Sequence, residues 1–316
     1  MKIFISLLFF LFVINIFAKD IAPYKYINAS DAVSDFVKAD NTIIVGTREG
    51  IIDIYDFKKE KIIDKIVLEK QTSILGDEVG VLIMSVDYLD GTLVFLTRKL
   101  DTLGELYIYK DKKLVKLIET SQHITLQKVK FVDLQRVIIN TMGNELILFD
   151  IKEKKFLYRK QLNMASFSDF ALSEDKKYLF SADETPLVNK IEVKSGKIVE
   201  TYEKANKRDI SSIDYKNGML LSGSKDQQLA LYKTPDQYKT SKGDFFINSV
   251  ALNPDASKAA FTKNERDEIS VIDTQTLKET HLLRGHKTTI IKLDFFAPNE
   301  LISADKANRL IFWKFD

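Results

Sequence analysis

Apolar residues recur along the chain in a fixed short phrase: apolar, two mostly polar residues, apolar, one further residue, then apolar or aromatic. The phrase begins at Val33, Ile83, Leu126, Phe167, Ile210, Ile247 and Ile290, with successive starts 50, 43, 41, 43, 37 and 43 residues apart. After each phrase come two apolar runs separated by a short polar loop, the pattern of a β-hairpin. "TIIVG" and "IIDIYDF" form such a pair around Thr47 to Gly50, and "MLLSG" and "QLALYK" form another around Ser224 to Gln227. Each pair is followed by a more polar run, such as "KIIDKIVL" or "GKIVETY".

A period of about 40 residues built from short strands is the signature of a β-propeller, in which each four-stranded blade buries its faces against its neighbours. The expected fold is therefore all-β, a seven-bladed propeller with polar outer strands at the rim. A second marker agrees: an aromatic or aliphatic residue near the end of each third strand falls at Tyr55, Tyr109, Phe149, Ile191, Tyr232, Ile272 and Trp313, spaced 54, 40, 42, 41, 40 and 41. Only the first interval departs, which places extra loop in blade two, in "EKQTSILGDEVG" and "RKLDTLGEL". Blade seven has three strands before the chain ends at Asp316. The unpaired run Pro23 to Ala29 is expected to supply the fourth strand beside Arg309 to Phe315 and close the ring.

The first 18 residues place Lys2 before an apolar run of 15 residues, Ile3 to Phe17, and end in the small residue Ala18. This is the form of a cleaved secretory signal, and the run is shorter than the roughly 20 residues of a membrane span. An uncleaved anchor is the alternative. The expected organisation is a signal at 1–18 and one propeller domain at 19–316, exported to the periplasm and monomeric, with no membrane span after cleavage. The chain has no cysteine, so its stability rests on core burial, and thiolate metal sites and cysteine nucleophiles are excluded. A net charge of +2 gives no nucleic-acid footprint.

Candidate chemistry is sparse. The three histidines, His123, His281 and His286, lack the spacing of metal ligands and are expected to be structural. Asp35, Asp87, Asp169, Asp214 and Asp294 recur within the phased strands, the first and third at step three of the phrase and the others at step five. Both steps share the parity of the opening apolar residue, so simple alternation does not settle which way they face. No nucleophile elbow or phosphate-binding loop is present, and no catalytic residue, metal or cofactor is assigned. Arg48, Lys99, Lys225, Lys263, Arg266 and Lys306 fall in loops between second and third strands, which share one end of the ring and form a candidate partner-facing set.

Blade seven, "LLRGHKTTIIKLDFFAPNELISADKANRLIFWKFD", resembles a WD repeat in its Gly285-His286 pair and in Trp313. The resemblance implies a buried structural hydrogen-bond network of His286, Ser303, Asp305 and Trp313. Asp305 lies eight residues before Trp313, a wider gap than the six between Asp226 and Tyr232. The whole chain is also similar to the WD-repeat accessory propellers encoded with periplasmic nitrate reductases. That likeness implies a non-catalytic platform for protein partners, periplasmic reductase or electron-transfer components, in assembly of a molybdenum and haem enzyme. A cofactor- or metal-binding propeller of the quinoprotein or haem-d1 type is the alternative, since such sites assemble from several blades.

Overall fold

The structure, a computed structural model, describes residues 18–315; the expected signal, apart from Ala18, lies outside the described residues. Seven blades follow one another in chain order, each a sheet of antiparallel strands paired in sequence, to which N-terminal strands are added in blades six and seven. Their innermost strands are Val33–Ala39, Leu82–Leu89, Leu126–Phe131, Phe167–Leu172, Ile210–Lys216, Val250–Leu252 and Ile290–Ala297, which together line a central channel. The fold is the expected all-β, seven-bladed propeller.

A backbone irregularity explains the spacing of the phrase. In a regular strand, residues three apart face opposite sides. The innermost strands slip register at the second residue of the phrase, between Val33 and Asp35, Leu126 and Lys128, Phe167 and Asp169, Ile210 and Ser212, and Ile290 and Lys292. One extra residue there is a β-bulge, which returns steps one and four to the same face. Val33 and Phe36, or Leu126 and Val129, are thus both fully buried between blades. Each such side chain contributes about 1.5–3 kcal/mol by burial. Steps three and five then turn toward the channel.

The inter-blade packing sets a size limit on the second strands. A Cβ on Gly46 would lie 2.5 Å from Ile83 Cγ2, and one on Gly223 would lie 2.6 Å from Val250 Cγ1. In both places the glycine makes room for the apolar residues that the next blade's phrase presses against it.

Closure follows the expected scheme. Lys25–Asn28 pairs antiparallel with Arg309–Lys314, from Lys25 opposite Phe312 to Asn28 opposite Arg309. Ile27 joins a core shared between the last and first blades, with Val33, Phe36, Ile302 and Phe312. Upstream, Lys19–Ile21 adds an unexpected fifth strand to blade six, parallel to Glu279–Leu283. A segment of three residues carries no periodicity that could announce it.

Two further details differ from the phrase. In blade two the extra loop contains a small ribbon, Gln71–Thr72 paired with Glu78–Val79. In blade six the ladder begins at Val250 rather than Ile247, because Thr262 Oγ1 accepts the Asn248 N–H at 2.8 Å in place of a backbone carbonyl.

Candidate functional site

The channel holds a cavity of about 610 Å³. Its wall is organised by the residue at step three of each blade's phrase, which reaches the backbone at step four of the next blade's phrase. Asp35 Oδ2 accepts the Val86 N–H at 2.8 Å, Ser85 Oγ the Val129 N–H at 3.3 Å and Asp169 Oδ2 the Ile213 N–H at 3.0 Å. Ser212 Oγ and Ser249 Oγ do the same for Val250 at 3.3 Å and Leu293 at 2.9 Å. The other two blades present lysine and reverse the polarity: Lys128 Nζ donates to the Phe170 carbonyl at 2.9 Å, and Lys292 Nζ to the Phe36 carbonyl at 2.6 Å. Seven side chains of three chemical types therefore make one unbroken belt.

Charges within the belt are paired. Lys292 also binds Asp35 at 2.7 Å, Lys128 binds Asp169, and Lys130 binds Asp87 at 2.8 Å. At step five, Asp87 Oδ2 and Asp214 Oδ2 each accept a backbone N–H from the next blade, of Phe131 and Leu252, both at 2.8 Å. Burial pushes the Asp35 carboxyl up, but Lys292 and Lys130 outweigh it and hold the group below the ordinary carboxylate range. For Asp214 burial wins over the weak help of Lys216, and with Asp294 nearby its carboxyl is raised. The recurring aspartates are thus placed in the channel wall, where four of the five fasten adjacent blades. Among the described residues no group of three or more His, Asp or Glu is arranged to hold a metal ion.

In blade seven, His286 Nδ1 lies 2.9 Å from Asp305 Oδ2 and His286 Nε2 lies 2.6 Å from Ser303 Oγ. Trp313 Nε1 donates to the same Ser303 Oγ at 2.7 Å. All four residues are buried. The wider spacing of Asp305 is accommodated because its Oδ1 accepts the Ala307 N–H, which turns the chain back toward the third strand. His286 stands four residues before Ile290, and Asn163 and Asn206 hold the equivalent place before Phe167 and Ile210. Asn163 Nδ2 donates to Asp183 Oδ2 at 2.5 Å, and Asn206 Oδ1 accepts from Ser222 Oγ at 2.6 Å. These histidine-free versions share a position in the sequence but no signature. His123 is exposed, and His281 packs against Phe315 with ring centroids 5.1 Å apart.

Because the innermost strands run in the same direction, the loops entering each blade and those joining second to third strands share one face. The basic residues there are mostly neutralised. Lys99 pairs with Glu105 at 3.1 Å, Lys225 with Asp209 at 2.9 Å, Arg266 with Glu268 at 3.3 Å and Lys263 with Glu279 at 2.8 Å. Arg48 and Lys306 are exposed, with no ion pair within 4 Å among the described residues. What stands out on this face is apolar: Ile74, Leu75, Leu100, Met142, Met164 and Phe246 are all solvent-exposed, Met164 at 93%. None of these belongs to a strand, so no periodic signal marks them.

Fold and network together define a WD-repeat-like propeller. By shape the chain is similar to the β-propeller domain of Cps50 (Swd1) from Myceliophteria thermophila, with a TM-score of 0.74 and 13% identity over 93% of this chain and 99% of that one. At that identity the likeness is one of fold. No protein-family model matches the chain, and no curated protein matches it by sequence.

Proposed function

We propose that the chain is an exported, periplasmic propeller that acts without catalysis, as a platform for protein partners on its loop face. The supporting observation is the contrast between the two candidate regions. The channel's titratable groups are largely committed to holding blades together, whereas the loop face exposes six large apolar side chains. Isolated surface apolar residues are ordinary, but several gathered on one face of a ring mark an interaction surface. The finer reading is an accessory role in assembling a periplasmic nitrate reductase, as for the NapL propellers. It rests on the signal-like form of residues 1–18 and on the cysteine-free, seven-bladed character of the chain, not on a sequence match.

The test is to express the full chain with the reductase subunits and follow both co-purification and reductase activity. Wild type should bind a reductase or electron-transfer component, and a variant with serine at Ile74, Leu75, Leu100, Met142, Met164 and Phe246 should not. A chain that stays in the cytoplasm, or that purifies with a visible chromophore, contradicts the proposal.

A further inference from the structure

The blade-two insertion is built to present a hydrophobic tip. The ribbon Gln71–Thr72 with Glu78–Val79 carries Ile74 and Leu75 in its turn, where Leu75 is 89% exposed and Ile74 fully so. The turn is ordered: Ser73 Oγ accepts the N–H groups of Leu75 at 3.2 Å and Asp77 at 3.1 Å, and the Ser73 N–H donates to the Asp77 carbonyl at 2.8 Å. Gly76 supplies the left-handed conformation that the turn needs, with φ of 89°. The ribbon is also tied down, since Gln71 Nε2 donates to the Gly80 carbonyl at 3.2 Å while its Oε1 accepts the Leu100 N–H at 3.1 Å. This last bond sets exposed Leu100 beside the ribbon.

The surroundings are acidic on a chain of net charge +2. From Glu69 to Gly80, Glu69, Asp77 and Glu78 stand against the single cation Lys70. Nearby Asp101 is exposed, and Lys99 is taken by Glu105. An apolar tip with an acidic collar is poorly suited to an anionic membrane surface. It suits a protein pocket that is apolar at its centre and lined with lysine or arginine at its edge.

We infer that the Ile74–Leu75 tip, with Leu100, is the anchor by which the loop face docks a protein partner bearing an apolar pocket with a basic rim. The inference rests on the interaction-platform proposal and gives that partner a chemistry.

The test uses a random peptide library displayed on phage, panned against the full mature chain. I74S/L75S, D77K/E78K and, as a control elsewhere on the face, M164S serve as comparison baits, and circular dichroism checks that each is folded. Enriched peptides should combine bulky apolar residues with lysine or arginine, lose about tenfold or more in affinity for I74S/L75S and for D77K/E78K but not for M164S, and weaken as salt rises. Peptides that are acidic, or that bind both tip variants as well as wild type, overturn the inference. If they instead lose binding to M164S, the tip is wrong and the platform stands. If no peptide is enriched on any bait, both fail.

Discussion

Lys292 Nζ lies 2.7 Å from Asp35 Oδ1, a contact between residues 257 positions apart that joins the last blade to the first inside the channel. It works in parallel with the outer closure by Lys25–Asn28, so the ring is locked at both its inner and outer edges. Lys292→Met removes the nearer cation and leaves the buried Asp35 carboxylate hydrogen-bonded by backbone donors only. The expected cost is about 2–4 kcal/mol, measured by urea unfolding. Asp35 titrates below its unfolded value, so its contribution is present above the unfolded pKa and lost as pH falls through the folded one. The deficit of the variant should therefore narrow as pH falls, because the wild type loses the Asp35 contribution and the variant has little of it to lose; a deficit independent of pH would falsify the pairing.

Asp214 should behave in the opposite sense. Its carboxyl is raised in the fold, so any stability it adds belongs to the protonated form, present below the unfolded pKa and lost as pH rises through the folded value. At pH 7, Asp214→Asn removes a buried charge and keeps an acceptor for the Leu252 N–H while giving up the local Tyr215 N–H bond, so the melting temperature should change little. A clear fall in melting temperature contradicts this.

Ser303 Oγ is the hub between His286 and Trp313. Ser303→Ala leaves two buried ring nitrogens without their partner and should cost about 2–4 kcal/mol. Trp313 is the chain's single tryptophan, so its emission reads the site directly. A variant with wild-type stability and unshifted emission argues against the network as a stabilising unit.

Removing residues 23–29 bares the edge of Arg309–Lys314 and takes Ile27 from the shared core. The melting temperature should fall by about 5–15 °C, from a loss of roughly 3–4 kcal/mol. Size exclusion should show association through the bared strand edge.

Gly223→Ala places a methyl group 2.6 Å from Val250 Cγ1 and against Ile247 Cγ2. Overpacking of this kind costs about 1–3 kcal/mol. Gly143→Ala is the control, because nothing lies within 4 Å of the added carbon and the change should be near neutral.

The blade count, the marker residues and the closing strand were legible in the sequence because each rests on apolar burial, which leaves a period. Tyr55 opposite Ile43 and Trp313 opposite Leu301 occupy the same register step in blades that share little identity. The belt was only half legible. Its aspartates recur visibly, but its serines and lysines do the same job with different chemistry, and the bulge that aims them inward changes geometry without changing any residue type. The ribbon and the strand at Lys19–Ile21 are too short to show a pattern. The loop face was expected to matter through its cations, yet most of those are paired locally, and its exposed apolar residues have no register to betray them.

The belt always ends on main chain. Asp35 meets the amide of Val86, Ser85 that of Val129, and Lys128 the carbonyl of Phe170, and none of these links depends on which side chain the receiving residue carries. A blade can therefore diverge in sequence, or be duplicated and inserted elsewhere in the ring, and still be gripped by whatever precedes it. Such a grammar lets seven units differ in sequence until what they share is only a rhythm of buried positions.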